Sequence, residues 1–237
     1  MNLKKFFNNK KILITGHTGF KGSWLVHWLS RYNVKIMGIS LDSNEKLGLF
    51  KFINKKKLSD KRFDIVNYKR LEKNILKFKP DIVYHLAAQA LVKKSISSPL
   101  ETYRTNIIGT ANILNCLNKL SKKTISVIVT SDKCYQNLKL LRGYHENDRL
   151  GGHDPYSASK ASAEIVFNSY FNSILKKNKK IRTATARAGN VIGGGDWSPD
   201  RLVPDCVRAW ALNKKVHIRS PNSTRPWQHV LEPLSGY

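Results

Sequence analysis

A phenol and an ammonium group stand four residues apart in Tyr156-Ser-Ala-Ser-Lys160, a spacing that puts both on one face of a helix. A cation beside a phenol lowers its pKa, which makes the phenolate a usable base near neutral pH. Alone, such a pair arises often by chance. Upstream, the strand-like stretch at residues 125–130 ends in Ser131, a hydroxyl suited to hold a substrate oxygen, with Asp132 and Lys133 directly after it. Further upstream, Gly16, Gly19 and Gly22 recur at three-residue spacing after the apolar residues 12–14. Trp24, Leu25, Trp28 and Leu29 then follow with helical period.

Strand, glycine turn and helix in that order make the first half of a βαβ unit. Glycine there lets a backbone approach a pyrophosphate and lets helix pack on strand, while the helix N-terminus offers unpaired N–H groups to phosphate. Residues 34–41 read as a second strand, and Asp42 at its end is where a dinucleotide fold places the acid that binds the adenosine ribose. An acid at that point favours NAD over NADP, whose 2′-phosphate it repels. The plainer alternative is a solvated loop aspartate.

The elements that must position these groups follow from the rest of the chain. Residues 45–60 form a polar connection with some helical tendency, and residues 63–66 read as a third strand. Residues 68–78 make an amphipathic helix with Leu71, Ile75 and Phe78 on one face, stopped by Pro80. A fourth strand at 81–88 runs into small residues. Pro99 opens a long helix through Leu117, and a fifth strand spans 125–130. A polar loop at 137–154 leads to a second long helix from Pro155, and a sixth strand spans 183–187. Strands alternating with helices predict an α/β fold, a doubly wound parallel sheet of the Rossmann kind. From Gly189 the grammar changes to glycines, prolines and tryptophans. That divides the chain into a nucleotide-binding domain at 1–188 and a smaller substrate lobe at 189–237.

With 237 residues and 41% hydrophobic content, the chain can bury one sizeable core with an extra lobe. No apolar run approaches membrane-spanning length, and the lysine- and asparagine-rich start has no secretory signal. Three widely spaced cysteines, Cys116, Cys134 and Cys206, indicate neither a disulfide framework nor a zinc site and fit a reducing cytoplasm. His85, His153 and His217 have no metal-ligand spacing, so no metal is expected. The net charge of +26 raises a nucleic-acid binder as an alternative. Its lysines, however, are scattered in short runs flanking strands and helix ends, with no nucleic-acid-binding motif. A lysine-rich composition explains the charge without nucleic acid as a partner.

The order glycine turn, strand-end serine, Tyr156-x-x-x-Lys160 resembles the extended short-chain dehydrogenases/reductases, as do Asp64-Ile65 and Leu86-Ala87-Ala88. Longer blocks resemble the CDP-glucose 4,6-dehydratase family: Gly16-His-Thr-Gly-Phe-Lys-Gly-Ser-Trp24, Ser131-Asp-Lys-Cys-Tyr135, the stretch from Arg187 to Trp197, and that from Arg225 to Tyr237. The match runs from about Lys11 to the last residue. The family usually carries Gly-Asp-Ile-Arg-Asp where this chain has Phe63-Asp64-Ile65-Val66-Asn67, so a loop near the adenine is expected to differ. The family also continues past Tyr237, so this chain is expected to lack part of the substrate lobe.

That resemblance implies a cytoplasmic NAD-dependent lyase acting on CDP-glucose, a homo-oligomer without nucleic-acid or membrane partners, serving deoxysugar and lipopolysaccharide synthesis. Tyr156, assisted by Lys160 and Ser131, would take the proton from the sugar 4-hydroxyl while hydride passes to NAD⁺. Asp132 would protonate the departing 6-hydroxyl as water leaves across C5–C6, and the hydride then returns to C6. Lys133 stands where a related branch has a glutamate; it would either remove the C5 proton or steady the enolate. The matched blocks further imply cofactor contacts from Phe20 and Lys21. Gln89, Asn190, Arg201, Arg219 and Arg225 would bind substrate, since an arginine fork suits a diphosphate. An epimerase or simple dehydrogenase on the same fold, which would not need Asp132 and Lys133, and an inactive NAD-binding fragment are the alternatives.

Overall fold

The computed structural model describes residues 2–42 and 47–237. A short helix α1 (Leu3–Phe7) precedes β1 (Lys10–Thr15), α2 (Phe20–Leu29) and β2 (Val34–Ser40). Then come β3 (Leu58–Arg62), α3 (Tyr68–Phe78), β4 (Ile82–His85) and α4 (Val92–Ser97). Next, α5 (Pro99–Tyr103) passes through a wider π turn at Arg104–Ile108 into α6 (Gly109–Asn118), so the expected long helix is one rod with a bulge. β5 (Thr124–Val129), α7 (Pro155–Ser173) and β6 (Ile181–Ala186) complete the main sheet. The last segment contributes β7 (Asn190–Ile192), α8 (Leu202–Ala211), β8 (Trp227–His229) and α9 (Leu231–Gly236).

Six parallel strands in the order β3-β2-β1-β4-β5-β6 form the sheet, with the order reversing between β1 and β4. That is the doubly wound arrangement read from the alternation of strands and helices, and it opens a crevice at the carboxyl ends of β1 and β4. Both faces are covered, which is why residues 12–14 are apolar without interruption. Leu13 joins Val83, Ile113, Leu114 and Ile128 under α3, α6 and α7, whereas Ile12 and Ile14 join Leu25, Val26 and Leu29 under α2. Val230 and Leu234 lie in that second cluster, so the end of the chain folds back onto α2.

The third strand differs from expectation. It is Leu58–Arg62, not 63–66, and it forms the edge of the sheet beside β2. Its middle residues Ser59, Asp60 and Lys61 are exposed, so the strand carries no apolar signal. The apolar residues Phe63 and Ile65 belong to the turn that follows and plug the core from there. Of the expected helical tendency at 45–60, residues 45 and 46 lie outside the described residues, and the remainder holds only the short turn Leu49–Lys51 before β3.

Candidate active site

The glycine turn is shaped by its own packing. Gly16 has φ +73°, and a Cβ there would lie 2.7 Å from Ala87 N in the chain leaving β4. A Cβ on Gly22 would lie 2.1 Å from Gly16 O, so the first turn of α2 can close on the loop only without a side chain. Gly19 is different. It is the N-cap of α2 with φ −74° and ψ 174°, and the nearest atom to a Cβ there is Gly16 O at 3.4 Å. The fold therefore explains Gly16 and Gly22, while at Gly19 what glycine provides is free space before the opening N–H groups of α2. A phosphate suits that place. Thr18 Oγ1 ties the loop to the end of β2 through Ser40 Oγ (2.7 Å) and Leu41 O (3.1 Å).

His17, to which sequence chemistry assigns no role, anchors the same loop from below. Its ring fills the space over Gly38, and Nε2 donates to Asp60 Oδ1 at 2.9 Å. Burial lowers its pKa against the pull of Asp60. Asp60 also accepts from Arg62 Nη2 (2.7 Å), whose Nε is 3.8 Å from Asp42 Oδ1. Asp42, with its side chain 86% exposed, sits on the cleft wall next to Ser40 and Leu41. Asp64 and Ile65 line the same end, and Leu86, Ala87 and Ala88 line the opposite side of the crevice.

Ser131, Asp132 and Lys133 turn out of β5 toward the start of α7. Ser131 Oγ donates to Asp132 Oδ1 (2.9 Å) and accepts from Lys133 N (3.2 Å), while Asp132 N donates to Ala188 O (3.1 Å). Asp154 caps α7 by accepting from Ser157 N (2.9 Å), with Pro155 at the first turn. This start brings Tyr156 into hydrogen-bonding contact with Ser131. The expected lowering of the phenol pKa does not hold in this structure. Burial raises it, the hydrogen bond from Ser131 opposes that, and the cation acting on it is Arg201. Lys160 Nζ instead donates to Val129 O at 3.3 Å, and its own pKa is lowered to about 8 by burial and by Lys21. Lys21 is likewise lowered to about 8 by burial and Arg201, against the attraction of Asp132, and it donates to Tyr237 Oη at 3.3 Å. Three cations thus surround the serine, aspartate and tyrosine, a setting for an anionic ligand.

A single cleft of about 1760 Å³ contains the glycine loop, this cluster and Asn190, Arg201, Arg219 and Arg225. Arg201 Nη1 donates to Asp196 Oδ2 (2.6 Å), and Arg219 Nη1 to Asp200 Oδ1 (3.2 Å). Gln89 departs from its expected place on the wall. It is buried, its amide donates to Thr102 Oγ1 (2.9 Å) and Leu91 O (3.1 Å), and Asn106 brackets its backbone at 2.9 and 3.0 Å. Gln89 shapes the loop after β4 from behind. Sequence reasoning missed Asp60, which lies in an unrecognised strand, and Lys93 on the cleft wall. It also missed Glu164, although that residue continues the four-residue step of Tyr156 and Lys160. Among the described residues there is no group of His, Cys, Asp and Glu able to hold a metal ion, and no helix long and apolar enough to cross a membrane.

The model of the family described as GDP-mannose 4,6 dehydratase matches residues 13–236. CDP-glucose 4,6-dehydratase of Salmonella typhimurium is 46% identical over 239 residues, covering 99% of this chain and 67% of the relative. dTDP-D-glucose 4,6-dehydratase of Dictyostelium discoideum is 32% identical, over 100% of this chain and 56% of the relative. Among solved structures, dTDP-glucose 4,6-dehydratase from Bacillus anthracis in complex with NAD superposes with a TM-score of 0.80 at 27% identity, covering 95% of this chain and 71% of that one. The chain thus spans between about half and two thirds of the length of these curated relatives.

Proposed function

We propose, for a chain that belongs to the GDP-mannose 4,6 dehydratase family, the reaction of a CDP-glucose 4,6-dehydratase: removal of water across C5–C6 of the hexose to give the 4-keto-6-deoxy sugar. The glycine cradle at the start of α2, the crevice beside Ala87 and Ala88, and Asp42 at the ribose end fit NAD as the cofactor. Bound there, NAD supplies the hydride acceptor at C4 and the hydride donor at C6. The chain's residues supply the proton chemistry. Tyr156 takes the 4-hydroxyl proton, helped by the hydroxyl of Ser131, which would turn from Asp132 Oδ1 to donate to the phenolate as it forms. Lys160 and Lys21 bring positive charge to the same wall and hold the anionic ligand in place. Arg201, Arg219 and Arg225, with Asn190, line the same cleft and would hold the diphosphate, for which a planar guanidinium makes paired charge-assisted bonds.

The observation that carries the dehydratase reading is the carboxyl of Asp132 beside Ser131 at 2.9 Å, inside the cleft and next to Tyr156. Oxidation at C4 needs no such acid, but hydroxide is a poor leaving group and the 6-hydroxyl must be protonated to depart. The 46% identity to the Salmonella enzyme supports the cytidine nucleotide as substrate. The same proposal takes a reducing cytoplasm as the location and a homo-oligomer as the assembly. Incubation with CDP-glucose and NAD⁺, followed by NMR, should show a 6-deoxy methyl signal. CDP-galactose in its place would make the protein an epimerase, and unchanged CDP-glucose with NAD⁺ bound would overturn the proposal.

A further inference from the structure

Three consecutive residues at the end of β5 are each joined to the same face of α7. Val129 O accepts from Lys160 Nζ, Thr130 Oγ1 donates to Glu164 Oε1, and Ser131 meets the Tyr156 phenol. The helix partners, 156, 160 and 164, follow one another at four-residue steps. Glu164 is 1% exposed, and its carboxylate also accepts from Arg187 Nε (3.1 Å) and Nη2 (2.9 Å) and from Thr185 Oγ1 (3.1 Å). Burial alone would push this carboxyl's pKa up. The bonds from Arg187 and Thr130 more than offset that, so it is ionised at neutral pH. A buried ion pair of this kind gains little over a well-packed apolar pair. Its place in the ladder points to a second task.

The surroundings of Lys160 indicate which. Lys21 from α2 opposes its charge and Glu164 on its own helix favours it, while burial keeps the Cys134 thiol beyond β5 neutral. His85 on β4 also faces it, and burial and the lysine's charge keep that imidazole neutral. Among these neighbours Glu164 is the one ionised carboxylate.

We propose that Glu164 is a positioning residue of the dehydratase site: its carboxylate, held by Arg187 and Thr130, locks the Ser131-bearing strand end in register with α7 and sets a negative charge one helical turn beyond Lys160. The catalytic consequence rests on the function proposed above; the contacts and the charge do not.

The test reads Lys160 directly. In the 237-residue chain carrying isotope-labelled lysine, the Lys160 signal is the one lost in Lys160→Arg. Glu164→Gln keeps the shape and removes the charge, and should move the Lys160 titration midpoint to lower pH by about one unit or more, the scale of a nearby opposite charge. Because Glu164→Gln leaves Arg187 unbalanced, Glu164→Gln/Arg187→Gln provides a neutral pair able to fold, and a smaller movement in the same direction is expected there, since loss of the more distant Arg187 charge acts the other way. An unmoved midpoint in the folded double variant would overturn the proposal. In turnover of CDP-glucose, Glu164→Gln should shift the alkaline limb of the pH–rate profile to lower pH, whereas a mere brace would lower the rate equally at every pH. The titration needs no turnover, so an inactive chain would refute the dehydratase reading and leave this measurement decisive.

Discussion

The contrast between Gly19 and Gly22 allows cofactor binding to be separated from folding by single methyl groups. A Cβ at Gly22 would sit 2.1 Å from Gly16 O and 2.7 Å from His17 Cα. The first of these is about 1.4 Å inside an ordinary non-bonded separation of roughly 3.5 Å. Neither atom can move without dragging the loop off β1, so the cost belongs near the top of the range for overpacking, about 2–3 kcal/mol. At roughly 2–4 °C per kcal/mol for a chain of this size, Gly22→Ala should lower Tm by about 4–12 °C. A Cβ at Gly19 meets nothing closer than 3.4 Å, in a backbone conformation open to any residue. Gly19→Ala should therefore stay within about 1 kcal/mol of the parent, with reduced unfolded-state entropy offsetting a poorer cap. Its methyl would instead stand where the pyrophosphate must approach, and a clash of about 1–3 kcal/mol corresponds to a roughly five- to 150-fold weaker Kd for NAD⁺. Thermal unfolding followed by circular dichroism gives the first quantity and titration calorimetry with NAD⁺ the second. If Gly19→Ala melted as early as Gly22→Ala, or bound NAD⁺ as the parent does, the division of roles among the glycines would be wrong.

Tyr156→Phe should reduce conversion of CDP-glucose by about 10²–10⁴-fold while leaving the calorimetric Kd for NAD⁺ nearly unchanged; turnover at the parent rate would remove Tyr156 from the chemistry. Asp132→Asn should still develop the absorbance of reduced nicotinamide with CDP-glucose but accumulate a 4-keto hexose that retains its 6-hydroxyl, and unimpaired 6-deoxy product would exclude the acid role. Stability should depend on pH through His85, which burial, with a smaller contribution from Lys160, lowers from 6.5 to about 3. Because its folded pKa lies below the unfolded one, the unfolded chain takes up the proton first. Stability from this group is therefore full above pH 6.5 and falls as pH drops toward 3, with a slope approaching about 1.4 kcal/mol per pH unit. Urea unfolding between pH 7 and 4 should show that slope, and His85→Gln should flatten it; an equal slope in both would place the titration elsewhere.

What was readable in advance followed the strength of the periodic signal. Residues 68–78 show a clean amphipathic pattern and form the helix Tyr68–Phe78, with Leu71 and Ile75 buried. The strand around residues 12–14 is covered on both faces, so an uninterrupted apolar run revealed it, and at 125–130 the apolar residues 127–129 did so despite Ser126 and the exposed Ile125. The edge strand beside β2 has no buried face to write into sequence, and the apolar turn after it drew the assignment five residues downstream. Among the expected site residues, short motifs that fix spacing marked most of the stretches that line the cleft, whereas Lys93, also on its wall, stands in no such motif. Gln89 was misplaced because a motif gives proximity but not direction, and its amide turns into the protein toward Thr102. The links from His17 to Asp60 and from Glu164 to Arg187 join residues 43 and 23 positions apart, and only the folded sheet brings them together.

The polarity of β3 also guards against aggregation. As the outermost strand it presents unpaired backbone groups that another chain could extend, and Asp60, Lys61 and Arg62 place charge along that border. Two of the three are already engaged in the fold, Asp60 with His17 beneath the glycine loop and Arg62 across Asp60. Replacing them with valine or isoleucine would improve the strand by propensity alone. It would also open the sheet to edge-to-edge association and release the loop from its support. Resistance to self-assembly and the shape of the nucleotide cradle are therefore constrained by the same side chains and cannot be tuned separately.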